Sequence, residues 1–191
     1  MDIGSLIAAI LPSALFLILI LYYTVWNGSS YVPKVIKTNA PLKIVGVSVK
    51  TNNAHFIEDD AALWKEFKKV KELNSIPKED SFNYVLVKMM PEKDNNWEYF
   101  IGDIVTNFDN VPAGFKTAEL TPGDYVTIRR SFKREIPWIN ETLKIEHFLY
   151  EKWLPNSNYE LDAKSTIKSI EYHNKRKGSA IRTIIFYAAI I

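Results

Sequence analysis

One succession of patterns occurs twice along this chain, and few folds accommodate it. The stretch "LKIVGVSVK" (42–50) sets Ile44, Gly46 and Ser48 against Val45, Val47 and Val49, the period-two alternation of a strand. "EDDAALWKEFKKVKEL" (58–73) then spaces Leu63, Phe67 and Val70 by four and three, with Trp64 alongside. That is one face of a helix, with Asp59 or Asp60 placed to cap its start. Pro77 ends the region. Strands are expected over "NYVLVKMM" (83–90) and "WEYFIGDIV" (97–105), joined by the turn-forming "PEKDNN". The second pass begins with "PGDYVTIRRSF" (122–132), a turn and a strand. "IPWINETLKIEHFLYEKW" (136–153) gives a helix whose apolar face carries Leu143, Phe148, Leu149, Tyr150 and Trp153. Pro137 suits its first turn, and Asn140 is a candidate cap. "STIKSIEYH" (165–173) and "AIRTIIFYAAII" (180–191) supply two more strands.

Strand, helix, strand, strand, repeated, predicts an α+β fold. Neither half is large enough to bury its own apolar face. The two βαββ repeats are therefore expected to share one antiparallel sheet about a pseudo-twofold axis, with both helices on one side. "GFKTAEL" (114–120) bridges the halves and reads as an extra edge strand. Trp153-Leu154-Pro155 marks where the second helix stops, because proline cannot continue it.

The first residues are different material. From Ile3 to Trp26 there is no charge. As a helix this run is about 36 Å long at about 1.5 Å per residue, enough to cross a hydrocarbon core. Tyr22, Tyr23 and Trp26 stand at one end, where amphipathic rings favour the headgroup region. A basic n-region and a small-residue cleavage site are both missing, which argues against a cleaved signal. Lys34, Lys37 and Lys43 follow the run, and lysine excess marks the cytoplasmic side. The expectation is a single-pass membrane protein: transmembrane helix 1–26, linker 27–41 and a cytoplasmic domain 42–191.

Composition then removes several classes. Apolar residues make up 47% and charged residues 24%, which supports a packed core. The net charge of +2 gives no electrostatic reason to expect nucleic acid as a partner. There is no cysteine, so disulfides and thiolate chemistry are excluded. His55, His147 and His173 show no metal-ligand spacing. No cofactor is called for. "KEFKKVKE" (65–72) and "NKRKG" (174–178) are basic and read as a solvated helix face and a hairpin turn.

The chain resembles the GyrI-like domain, the effector-binding domain of many AraC-type and MerR-type activators, related to the SOUL haem-binding fold. The stretches that carry the resemblance are "LWKEF", "YFIGDIVTNFDNVPAGFKTAELTPGDYVTI", "YEKWLPNSNYELD" and "IEYH". The long middle stretch is the most specific, keeping Gly102, Pro112, Gly114, Pro122, Gly123 and Tyr125 in order. The resemblance implies a ligand cleft between the halves, taking amphipathic, often cationic and aromatic, small molecules. Some members take a protein target, and some hydrolyse strained rings. The similar proteins have a pocket glutamate in the last strand; here "RTIIFYAAII" puts Ile184 in its place, which argues against hydrolysis. The helix-turn-helix of the activators has no counterpart in residues 1–41.

The residues expected around the cleft are Trp64, Tyr99, Tyr125, Trp138, Trp153 and Tyr187, with Glu171 as the carboxylate nearest to it. The function expected from the sequence is a non-catalytic, membrane-tethered module for a small amphipathic or aromatic molecule. A membrane-anchored module for a protein partner comes second, and a hydrolase last.

Overall fold

A computed structural model describes residues 31–73, 84–89, 95–165, 167–174 and 180–191. The folded unit is Pro33–Ile191. Its elements in chain order are β1 (Lys34–Thr38), β2 (Leu42–Thr51), α1 (Phe56–Leu73), β3 (Tyr84–Met89), β4 (Trp97–Val105), β5 (Lys116–Leu120), β6 (Gly123–Lys133), α2 (Trp138–Phe148), β7 (Ile167–Asn174) and β8 (Ile181–Ile190). Eight strands form one antiparallel sheet in the order β1-β6-β8-β7-β3-β4-β2-β5.

The strand order expresses the repeat. The first half lies as β3-β4-β2 and the second as β7-β8-β6, joined where β3 pairs β7. At that junction Leu86 faces Glu171. Leu86 pairs Ile101 of β4 as Glu171 pairs Phe186 of β8, so the pseudo-twofold axis passes between Leu86 and Glu171. The repeat is longer than four elements. β5 precedes the second half and pairs β2 of the first; β1 precedes the first half and pairs β6 of the second. Each edge strand is thus lent to the opposite half. Lys34–Thr38 fall in the stretch expected to be a linker, yet Ile36 packs against the core and Thr38 exchanges hydrogen bonds with Gly123, donating to its carbonyl at 3.2 Å and accepting from its N–H at 3.1 Å.

The sheet is rolled, which chain geometry requires. β5 and β6 are six strand positions apart, about 29 Å in a flat sheet at about 4.8 Å per strand. Only Thr121 and Pro122 connect them, a reach of about 11 Å. The same holds for β1 and β2, six positions apart and joined by residues 39–41. The sheet ends must therefore approach each other. The inner face accordingly packs Ile36, Ala118, Leu120 and Tyr125 from the ends into one core with Ile44, Val85, Val87, Phe100 and Ile170 from the centre. On the outer face, Leu63 and Phe67 of α1 cover Val47, Leu86, Trp97, Tyr99 and Ile101. Trp138 of α2 packs on the same face, so both helices lie on one side.

Helix α1 starts earlier than its apolar spacing suggests. Asn52 opens it, accepting the Ala54 and His55 N–H groups at Oδ1 and the Phe56 N–H at its carbonyl. Asp59 and Asp60 lie inside the helix. α2 is preceded by Pro137 with no side-chain cap, and Asn140 lies within the first turn. After Phe148 the helix widens to a π turn over Leu149–Trp153, then tightens to a 3-10 turn over Leu154–Asn156. There Asn156 and Ser157 donate to the carbonyls of Lys152 and Leu154, and the last turn runs through Pro155 to Asn156, one residue past the stop expected at Pro155.

The expected single-pass membrane localisation is corrected: among the described residues no helix is long and apolar enough to cross a membrane. The uncharged run 3–26 on which that expectation rested lies outside the described residues.

Candidate functional site

A cleft of about 250 Å³ opens on the outer face, over the pseudo-twofold axis. Its floor is Leu86 and Glu171, the pair through which the axis passes, with Trp97 and Tyr99 of β4 beside them. The side walls come from the start of each helix. Phe56 and Ile57 of α1 face Trp138, Ile139, Thr142 and Leu143 of α2. The opening residues of the two helices therefore supply two matching walls, as a twofold arrangement of repeats dictates. Four aromatic rings contribute. Phe56 meets Tyr99 edge-on at 5.0 Å and Trp97 at 6.3 Å. Ile57 and Leu143 stand exposed at the mouth.

The polar groups break this symmetry. Glu171 is only 7% exposed. Its Oε2 accepts from the Thr142 hydroxyl at 2.8 Å and lies 3.0 Å from His173 Nε2. No carboxylate stands at the related place in the other half, which is Leu86. At the rim, Lys88 reaches Glu146 at 3.7 Å and lies over the Trp97 ring at 5.1 Å. The Trp97 indole nitrogen is buried without a hydrogen bond. Burial pushes the Tyr99 phenol well above its usual value, and the charges of Glu171 and Asp60 add to that. Burial also raises the Asp60 carboxyl, against the opposing pull of the Tyr99 hydroxyl and the Trp64 indole beside it. A buried carboxylate under aromatic walls is a site for positive charge on an apolar body.

Of the residues expected from sequence, Tyr99, Trp138 and Glu171 line this cleft. Trp64 stands next to it, edge-on to Tyr84 at 4.6 Å and to Phe67 at 6.1 Å. Tyr125 and Tyr187 point to the inner face of the rolled sheet; Tyr125 donates its hydroxyl to the Thr121 carbonyl at 2.6 Å. Trp153 stacks on Tyr159 at 5.9 Å, beside a separate surface groove formed by residues 154–161. Ile184 is completely buried and pairs His173, so the carboxylate of this cleft comes from β7 rather than β8. Sequence reasoning missed Phe56, Trp97, Thr142 and His173. The last was within reach: "IEYH" places Glu171 and His173 on one face by the two-residue period. Among the described residues no group of three or more metal-ligating side chains comes together.

The pattern of the family described as Cass2, integron-associated effector binding protein, matches residues 35–186. No curated protein matches the chain. Among solved structures, SAV2435 bound to tetraphenylphosphonium is similar at 14% identity and a TM-score of 0.60, over 85% of this chain and 94% of that one. The integron cassette protein VCH_CASS2 from the mobile metagenome of Vibrio cholerae is similar at 18% identity and a TM-score of 0.54, over 83% and 95%. EcmrR in its complex with DNA is similar at 12% identity and a TM-score of 0.54, over 97% and 68%. At these identities the likeness is one of fold.

Proposed function

The chain belongs to the Cass2 family of integron-associated effector-binding proteins, and on that footing we propose that it holds a small aromatic or amphipathic cation in the cleft over its pseudo-twofold axis. The observation that carries this reading is Glu171, a buried carboxylate in the floor of an otherwise apolar, aromatic-walled cleft. A cation there regains, from Glu171 and the ring faces, the stabilisation it loses on leaving water. Tetraphenylphosphonium in the similar SAV2435 is a ligand of this chemical kind. The proposed role is binding or sensing without a chemical step. Ile184, where the resemblance places a carboxylate, can neither give nor take a proton.

Thermal unfolding of the full chain against tetraphenylphosphonium, benzyltrimethylammonium, its neutral isostere neopentylbenzene, and an aromatic carboxylate tests this. A ligand at about 100 times its Kd adds roughly 2.7 kcal/mol. For a domain of this size that raises Tm by about 5–10 °C. The expected result is a rise with the cations and little with the neutral or anionic compounds. A rise with the carboxylate alone would overturn the reading.

A further inference from the structure

The chain has three histidines, and the cleft reading uses none of them. His55 and His147 are exposed, whereas His173 is completely buried. It stands two residues beyond Glu171 on β7, on the same face of the sheet. Its ring stacks on Tyr84 at 4.7 Å and meets Trp138, a cleft wall, edge-on at 5.4 Å. Nε2 lies 3.0 Å from Glu171 Oε2, while Nδ1 is buried with no hydrogen-bond partner. The ring is held between two aromatic side chains and touches the cleft's buried carboxylate through one nitrogen.

An imidazole held this way has two states with opposite consequences. When neutral, with its proton on Nε2, it donates to Glu171 and leaves the floor with one negative charge. When protonated, it forms an ion pair with Glu171, and the floor is neutral overall. We propose, resting on the cation reading of the cleft, that His173 is the positioning residue that sets which charge class the cleft accepts. The neutral ring orients Glu171 toward a cation. The charged ring takes up that carboxylate's charge and turns the same cleft toward neutral aromatic molecules. In proton balance, a cation that enters while the ring is charged displaces up to one proton from His173 to solvent.

The other groups facing the pair are Asp60 on α1, Tyr84 and Lys88 on β3, Tyr99 on β4, Glu146 on α2, Tyr150 in the π turn and Arg182 on β8. Burial pushes Tyr84 up to about 12 and raises Tyr99 and Tyr150 as well, so these phenols stay uncharged near neutrality. Asp60, whose carboxyl burial also raises, is the group whose titration has to be separated from that of His173.

The test is calorimetric titration of the full chain with tetraphenylphosphonium, whose charge is the same at every pH, at pH 5.5 and 7.5. It is done in two buffers of different ionisation enthalpy, for the wild type, His173→Gln and Asp60→Asn. Glutamine keeps a donor for Glu171 and cannot take up the proton. The wild type is expected to bind about tenfold more weakly at pH 5.5, with proton release visible as a buffer-dependent enthalpy. His173→Gln should bind equally at both pH values without proton release, and Asp60→Asn should retain the wild-type dependence. Equal pH dependence in the wild type and His173→Gln would overturn the proposal, as would its disappearance in Asp60→Asn. If the phosphonium binds at neither pH, the cation reading of the cleft is lost. In that case an NMR titration of the His173 ring, compared between the wild type and Glu171→Gln, decides the coupling separately. A shared midpoint would reject it.

Discussion

Asp60, half-buried, and Glu141, fully buried, are two carboxylates whose environments act in opposite directions. Burial raises the Asp60 carboxyl, and the nearby Tyr99 hydroxyl and Trp64 indole only partly offset it. Its folded value lies above its unfolded one, so its contribution favours folding at low pH and is lost as pH rises through the folded value. Charged Asp60 is therefore a cost at neutrality. Asp60→Asn should raise stability at pH 7 by about 0.5–1 kcal/mol after allowing for partial exposure, and the gain should shrink toward pH 4. Urea midpoints at the two pH values check this; a loss at pH 7 would contradict it. Glu141 is also subject to burial, but hydrogen bonds from Lys144 at 2.8 Å and Arg130 at 3.0 Å reverse the effect and hold its carboxyl low. Its contribution is present above the ordinary carboxylate range and fades as pH falls through the lowered value. How far single residues are legible follows from the strand period. Alternation tells that Tyr99 shares a face with Trp97 and Ile101, and Glu171 with His173. It does not tell which face carries the helices, and that is why Tyr125 and Tyr187 were expected at the cleft but lie on the inner face.

At the scale of elements, β2, β4 and the two helices were readable because each carries an unbroken period. β1 was not, because its five residues, flanked by Pro33 and Pro41, hold two lysines and lean on a partner strand far away in sequence. The start of α1 was misplaced because Asn52 caps it by a turn rather than by an acidic residue ahead of the apolar spacing. The β2–β4 pairing shows a tighter constraint. Gly46 and Gly102 face each other, and a side-chain carbon at Gly46 would sit 1.9 Å from the Ile101 carbonyl oxygen. That oxygen is backbone and cannot move aside without shifting β4, which carries Trp97 and Tyr99 into the cleft. Gly46→Ala should thus cost about 2 kcal/mol or more in stability, read from a denaturant midpoint, and should weaken ligand binding with it. A variant as stable as the wild type would show that the two strands have more room than this.

For the whole molecule, the repeat predicted the pairing of halves, and the short connections around β5 predict closure. What the repeat left open is that each edge strand serves the opposite half, since this depends on pairing between distant segments. Closure ties both halves into one inner core, and the same symmetry brings the two helix starts together over Leu86 and Glu171. The cleft is therefore symmetric in its walls and asymmetric in its charge, with one buried carboxylate where a perfect repeat would have two or none. That asymmetry underlies the proposed taste for a single positive charge. The most direct measurement is the affinity of the full chain and of Glu171→Gln for benzyltrimethylammonium and for its neutral isostere neopentylbenzene, by calorimetry at pH 7.5. The wild type should prefer the cation, and Glu171→Gln should lose about ten- to a hundredfold in affinity for it while holding the neutral compound unchanged. Equal affinity of the wild type and Glu171→Gln for the cation would show that the cleft does not select its ligand by this charge.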